Sequence, residues 1–149
     1  AVGIDNSPAH VEIMVTKDGP KMVELGSRMG GGCITTHLVP LSTGIDMIKS
    51  VMDLALGLEP DLEPKLDKGS ALRHIVGIEG VIESIEGLDE ARQVPGVFEV
   101  TMLKNVGEEC HYFKNGADRI GYVIAQGKDT AEAIAICEEA IKKINIKTK

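Results

Sequence analysis

Alternation of Val11, Ile13 and Val15 with His10, Glu12, Met14 and Thr16 has the period of a β-strand, and Lys21–Leu25 continues as a second strand carrying Met22 and Glu24 on one face. Between them, Thr16-Lys17-Asp18-Gly19-Pro20 has the composition of a hairpin loop. A three-residue loop of Lys17, Asp18 and Gly19 would set Thr16 against Pro20 and bring Glu12 opposite Glu24. A two-residue Asp18-Gly19 turn would shift the pairing by one and send the two acids to opposite faces. Cys33–Leu41 has no clear period and reads as a connector. Ser42 or Thr43 then offers a cap for a helix reaching Leu56, with Ile45, Ile48, Met52 and Leu56 at helical spacing and Gly57 as its stop.

Residues 57–68 combine Pro60 and Pro64 with Glu59, Asp61, Glu63 and Asp67, a composition suited to an exposed linker. This divides the chain into residues 1–58 and a lobe of residues 59–149. In the second lobe, Leu72–Val76, Gly80–Ile85, Val97–Leu103 and Arg119–Ala125 are expected strands, and Gly87–Val94 is a short helix stopped by Pro95-Gly96. Asp129 and Glu132 form a capping box for a terminal helix whose Ile134, Cys137, Ile141 and Ile144 make one apolar stripe. The expected class is α+β: an antiparallel hairpin plus helix, followed by a small α+β lobe.

Bulk properties narrow the function. With 149 residues and 43% hydrophobic content the chain fits one ordinary domain or two small lobes. Its 16 Lys and Arg against 23 Asp and Glu give a formal charge of -7, which opposes general binding to nucleic acid or to an anionic membrane. No apolar run reaches the roughly 20 residues that span a bilayer, and no signal-peptide layout opens the chain, so a cytoplasmic location is expected. Cys33, Cys110 and Cys137 are too few and too scattered for a disulfide framework or a zinc site. An aromatic content of 3% supplies no base-stacking platform. The chain starts at Ala1 in a segment that already resembles the approach to a strand, so it is expected to be a piece of something longer.

The residues with chemical promise cluster between His10 and Gly32. Taken alone, an acid on an exposed hairpin is usually a solvated charge. Two glutamates facing each other across strands instead call for a divalent cation, a shared proton or open solvent. Mg²⁺ commonly takes one or two carboxylates plus substrate phosphates and waters, so the pair suits a nucleotide-bridged ion better than a permanent structural one. Arg28, four residues after Glu24, presents a planar fork for a phosphate or carboxylate, although a lone arginine is more often a surface or ion-pairing residue. Gly30-Gly31-Gly32 permits close backbone approach to a ligand but lacks the spacing of a phosphate-binding loop, and a flexible turn explains it equally well. His10 lies two residues before Glu12 on the same face, where it could tune that acid. His37, His74 and His111 share no ligand spacing, and Arg73 and Arg119 read as structural ion-pairing residues.

The stretch HVEIMVTKDGPKMVELGSRMGGG, followed by PLSTGIDMIKSVMDLALG and, more weakly, GADRIGYVIAQGKDTAEAIAICEEA, resembles the carboxy-terminal part of an ATP-grasp ligase. Members of that superfamily activate a carboxylate with ATP as an acyl phosphate and join it to an amine or another nucleophile. The resemblance implies that Glu12 and Glu24 hold Mg²⁺ (or Mn²⁺) bridging the nucleotide phosphates. It implies that Arg28 steadies the transferred phosphoryl group or the acyl phosphate as the catalytic residue. Many relatives place Asn two residues after the second acid, where this chain has Gly26. The second lobe resembles the extension of carboxylate-amine ligases, including those that make dipeptides and those similar to carbamoyl phosphate synthases and biotin carboxylases. That extension would close over substrate or support a homodimer. The implied partners are an amino-terminal half of the enzyme carrying the rest of the nucleotide pocket, and small carboxylate and amine substrates. By this reading the chain is inactive alone. A non-catalytic oligomerisation or ligand-binding module is the alternative.

Overall fold

The computed structural model describes residues 2–149, which divide into two compact units, the first ending at Lys65 and the second running Leu66–Lys149. The first unit opens with the expected hairpin, β1 (His10–Thr16) antiparallel to β2 (Gly19–Gly26). Its loop corrects the sequence reading: only Lys17 and Asp18 lie outside the ladder, and Thr16 faces Gly19 rather than Pro20. Gly19 takes φ +95° itself, and the Thr16 hydroxyl ties the turn by donating to the Gly19 carbonyl at 2.8 Å and accepting from the Asp18 amide at 3.2 Å.

A two-residue turn alone would set Glu12 opposite Val23. The ladder instead steps from Ile13↔Met22 to Glu12↔Glu24, leaving Val23 unpaired in a bulge. The bulge restores the Glu12↔Glu24 pairing and sorts the faces. Met22 falls opposite Ile13 on the apolar side with Val11, Val15 and Leu25, and not beside Glu24 as its sequence parity suggested. Lys21, opposite Met14, joins the face of Glu12.

The second correction concerns the helices. Residues 34–43 are helical, as a π-helical turn (Ile34–Leu38) running into α1 (Val39–Thr43). Ser42 and Thr43 end this segment rather than starting the next. Their hydroxyls donate back to the Leu38 and Val39 carbonyls at 2.8 Å, and Gly44 at φ +75° terminates the turn. The cap of α2 (Met47–Ala55) is Asp46, whose carboxylate accepts the Lys49 amide at 2.9 Å. Ser50 and Asp53 are its buried residues; of the expected apolar stripe Ile45 and Ile48 are half-buried, whereas Met52 and Leu56 stay 55% and 75% exposed.

In the second unit, β3 (Gly69–Ile75), β4 (Gly80–Glu86), α3 (Leu88–Arg92), β5 (Val97–Met102), β6 (Glu109–Cys110), β7 (Gly121–Gly127), α4 (Thr130–Lys143) and β8 (Asn145–Thr148) build two three-stranded antiparallel sheets, ordered β3-β7-β5 and β6-β4-β8. α4 lies on the first sheet, where Ala133, Cys137 and Ala140 meet Ala71, Val100, Val123 and Ala125. Small residues on both surfaces allow the close approach. Gly69 shows its limit, since a Cβ there would lie 1.9 Å from the Asp129 carbonyl carbon. Ile75, Ile82, Cys110 and Ile120 make a second core, with Ile141 and Ile144 packing against both. The capping box at α4 is offset by one residue: Asp129 accepts the Glu132 amide at 2.8 Å, but Glu132 reaches back to the Lys128 amide at 2.6 Å. The architecture is α+β, and no helix among the described residues is long and apolar enough to cross a membrane.

Candidate active site

The polar face of the hairpin gathers the chemistry. Glu12 and Glu24 are direct cross-strand partners, a geometry that holds Cβ atoms about 4.5–5.5 Å apart. Each acid also meets a basic side chain: His10 Nε2 lies 3.4 Å from Glu12 Oε1, and Arg28 Nη2 lies 3.5 Å from Glu24 Oε1. The Arg28 amide donates to the Gly26 carbonyl at 2.9 Å, a tight turn that swings the side chain back toward Glu24, and Nη1 donates to the Met29 carbonyl at 3.0 Å. The structure thus brings Glu12, Glu24, Arg28 and His10 to one face of one hairpin end.

The glycines have distinct duties here. At Gly30 a Cβ would stand 3.0 Å from His10 Nδ1 and 3.3 Å from an Ile34 methyl, so the glycine lets the chain close over the histidine. The buried Thr35 hydroxyl fixes that bend by donating to the Gly30 carbonyl at 2.9 Å. At Gly26 a Cβ would sit 3.3 Å from Arg28 Cγ, so the arginine side chain occupies the space an asparagine would use. Gly31 has open space around it.

The donor set fits a divalent ion only in part. Among the described residues, no three His, Cys, Asp or Glu side chains converge on a point that could hold a metal. Two exposed carboxylates match a Mg²⁺ that draws its remaining ligands from phosphate and water, and do not make a closed protein cage. A polar cleft elsewhere in the first unit, lined by Asp46, Lys49, Asp53, Asp61 and Lys65, is already self-paired. Lys49 binds Asp53, which raises the lysine's pKa, and Lys65 binds Asp61 at 2.7 Å, which lowers the acid's. With the Lys65 amide donating to the Thr43 carbonyl at 2.7 Å, this cluster pins the 57–65 segment. Both pairs have the i,i+4 spacing of facing side chains, the one signal of this cluster in the sequence.

The fold is that of the carboxy-terminal part of ATP-grasp ligases, and solved structures share it. The phosphoribosylglycinamide synthetase of Anaerococcus prevotii superposes with a TM-score of 0.85 at 24% identity, over 99% of this chain and 38% of its own. The L-amino acid ligase of Bacillus licheniformis superposes at 0.81 with 26% identity, over 99% of this chain and 37% of its own. Residues 74–149 match the family model described as L-amino acid ligase C-terminal domain 2, and the chain belongs to that family. The uncharacterized protein y4rH of Sinorhizobium fredii is 28% identical over 97% of this chain and 30% of its own length. The chain therefore spans about a third of the length of the relatives it matches.

Proposed function

We propose that this chain forms the carboxy-terminal wall of the active site in a longer ATP-dependent carboxylate-amine ligase. Glu12 and Glu24 would hold Mg²⁺, which would supply positive charge for phosphoryl transfer from ATP to a carboxylate. Arg28 steadies the transferred phosphoryl group and the acyl phosphate, with Glu24 orienting its guanidinium. His10 holds the Glu12 carboxylate in place from the same face. An amine then attacks the acyl carbon, forming the amide and releasing phosphate. The observation that carries this reading is the Glu12↔Glu24 pairing, which survives a shortened turn only because of the bulge at Val23.

The other wall of the pocket belongs to the remainder of the parent protein. The hairpin supports this assignment. Ile13, Val15 and Met22 on its apolar face are 57%, 87% and 65% exposed, a surface a hydrophobic partner element would cover. The chain alone would be inactive. The test is ATP-dependent ligation, followed by release of ADP and phosphate, in the full-length protein, wild type against Glu24→Gln and Arg28→Gln, with the 149-residue chain as control. Equal turnover in the variants, or turnover by the isolated chain, would refute the proposal.

A further inference from the structure

The polar face of the hairpin offers a cation fewer ligands than its length allows. Past Glu12↔Glu24 the ladder continues through Val11↔Leu25 to His10↔Gly26, and the last of these pairs, two residues along, shares the face of the acids. Gly26 brings no side chain, and its carbonyl already accepts the Arg28 amide at 2.9 Å. The His10 imidazole is turned to Glu12, with Nε2 3.4 Å from Oε1. The face therefore presents two carboxylates, and among the described residues no third His, Cys, Asp or Glu converges with them.

The backbone does not require glycine at position 26. Its φ lies outside the left-handed region, so another residue could take this conformation. What the missing side chain provides is room, since a Cβ would stand 3.3 Å from Arg28 Cγ and 3.4 Å from Nε. Laid over Gly26, the arginine sets Nη2 3.5 Å from Glu24 Oε1, and Nη1 is anchored on the Met29 carbonyl at 3.0 Å. An ion bound to that oxygen, at the roughly 2.0–2.1 Å that Mg²⁺ requires, would share it with a fixed positive charge. One Mg²⁺ is satisfied by one or two carboxylates, with substrate phosphate and water completing its octahedron. The acidic pair meets that need once and leaves no side-chain ligand for a second ion.

We propose that this hairpin holds a single divalent cation, and that Arg28, folded over Gly26, is the second positive charge of the site. The inference rests on the ligase reading and deepens it: phosphoryl transfer is served by one exchangeable ion and one covalently fixed guanidinium. Because a guanidinium neither deprotonates nor dissociates, the site keeps that charge at any concentration of free Mg²⁺. Gly26 is then a positioning residue, acting through the arginine it admits.

The experiment counts bound Mn²⁺ by electron paramagnetic resonance in the full-length protein, as the difference between samples with and without a non-hydrolysable imido analogue of ATP, the protein being in excess so that all nucleotide is bound. The wild type should gain one Mn²⁺ per nucleotide, with the spectrum of an isolated ion. Gly26→Asn, which displaces Arg28 and adds an amide oxygen, should gain two, with the broadened spectrum of a spin-coupled pair. Arg28→Gln should also admit a second ion, at a concentration at least about tenfold below any second binding in the wild type. A coupled pair in the wild type overturns the single-ion site and leaves the ligase reading standing. A count of one in both Gly26→Asn and Arg28→Gln overturns it as well, since neither residue then excludes an ion. Glu24→Gln should raise the Mn²⁺ half-saturation concentration at least about tenfold; no change there means that the nucleotide alone holds the ion, and overturns both readings. Should Gly26→Asn fail to fold, the wild-type and Arg28→Gln spectra decide the matter.

Discussion

Replacing Glu24 with Gln separates a binding role for the hairpin acids from a structural one. Two carboxylates about 5 Å apart repel by roughly 0.8 kcal/mol in water and by about 3 kcal/mol at an effective dielectric constant near 20. With the Glu12 and Glu24 side chains 52% and 60% exposed, solvent screening places the repulsion near the lower figure, about 1 kcal/mol. The same substitution removes the exposed Arg28–Glu24 contact at 3.5 Å, a pair of the kind that contributes roughly 0.2–1 kcal/mol. The two effects oppose each other, so the metal-free chain should change stability by less than about 0.5 kcal/mol. At roughly 2–4 °C per kcal/mol for a chain of this size, the Tm should move by less than about 2 °C. In the full-length protein the same change should cost turnover about 100-fold or more, the usual scale for losing one charge-stabilising group, with partial recovery at raised Mg²⁺. Differential scanning calorimetry of the metal-free chain and steady-state ligation by the parent make the comparison. A Tm fall beyond about 4 °C, or full turnover in the variant, would refute the reasoning: the first makes Glu24 a structural residue, the second removes it from the chemistry.

Three further predictions concern the second unit. Gly69→Ala drives a Cβ into the Asp129–Thr130 backbone at the start of α4 and should destabilise this unit by about 3 kcal/mol, read as a lower urea midpoint; an unchanged midpoint would mean that α4 moves freely on the sheet. Burial raises the Cys137 thiol to about 11 and also raises that of Cys110, whereas Cys33 is only half-buried. Alkylation of the folded chain at pH 8 should therefore modify Cys33 first and leave Cys137 intact by mass spectrometry, and rapid loss of the Cys137 thiol would contradict the packing. Asp118 is held below the ordinary carboxylate range by the Lys114 and Asn115 amides, so its capping contribution is full above its unfolded pKa and is lost as pH falls through the lower folded value. Amide exchange at Lys114 and Asn115 should accelerate as pH drops through and below about 4, after correction for intrinsic rates, and Asp118→Asn should abolish that pH dependence.

What the sequence disclosed depended on whether the signal was periodic or conformational. The strand pattern, the facing acids and the α4 stripe are periodic and were legible, because a buried face needs a repeating apolar position. The loop length at Lys17-Asp18 and the bulge at Val23 were not, since each depends on where a single residue leaves the ladder, and two such departures cancelled to leave the expected Glu12↔Glu24 pair. Residues 34–43 were hidden for another reason. Cys33 begins that segment at φ +63° with no side-chain cap, so the usual start signal is missing, while Ser42 and Thr43 mimic a start at its end. At the other terminus, Ile144 continues the helical stripe in sequence but is extended in space, and Ile146 then serves β8 with a period of two.

The same distinction explains why local and non-local contacts differ in visibility. Glu12 and Glu24 announce themselves because a hairpin converts a sequence separation of twelve residues into a contact through one local rule. The β3–β7 ladder, which sets His74 against Tyr122, joins residues 48 positions apart. No spacing in the chain encodes that. An arginine beside an acid in sequence suggests an ion pair, yet the Asp118 carboxylate turns to backbone amides three and four residues earlier. Where a charge is spent becomes visible only when the partners of each polar group have been placed.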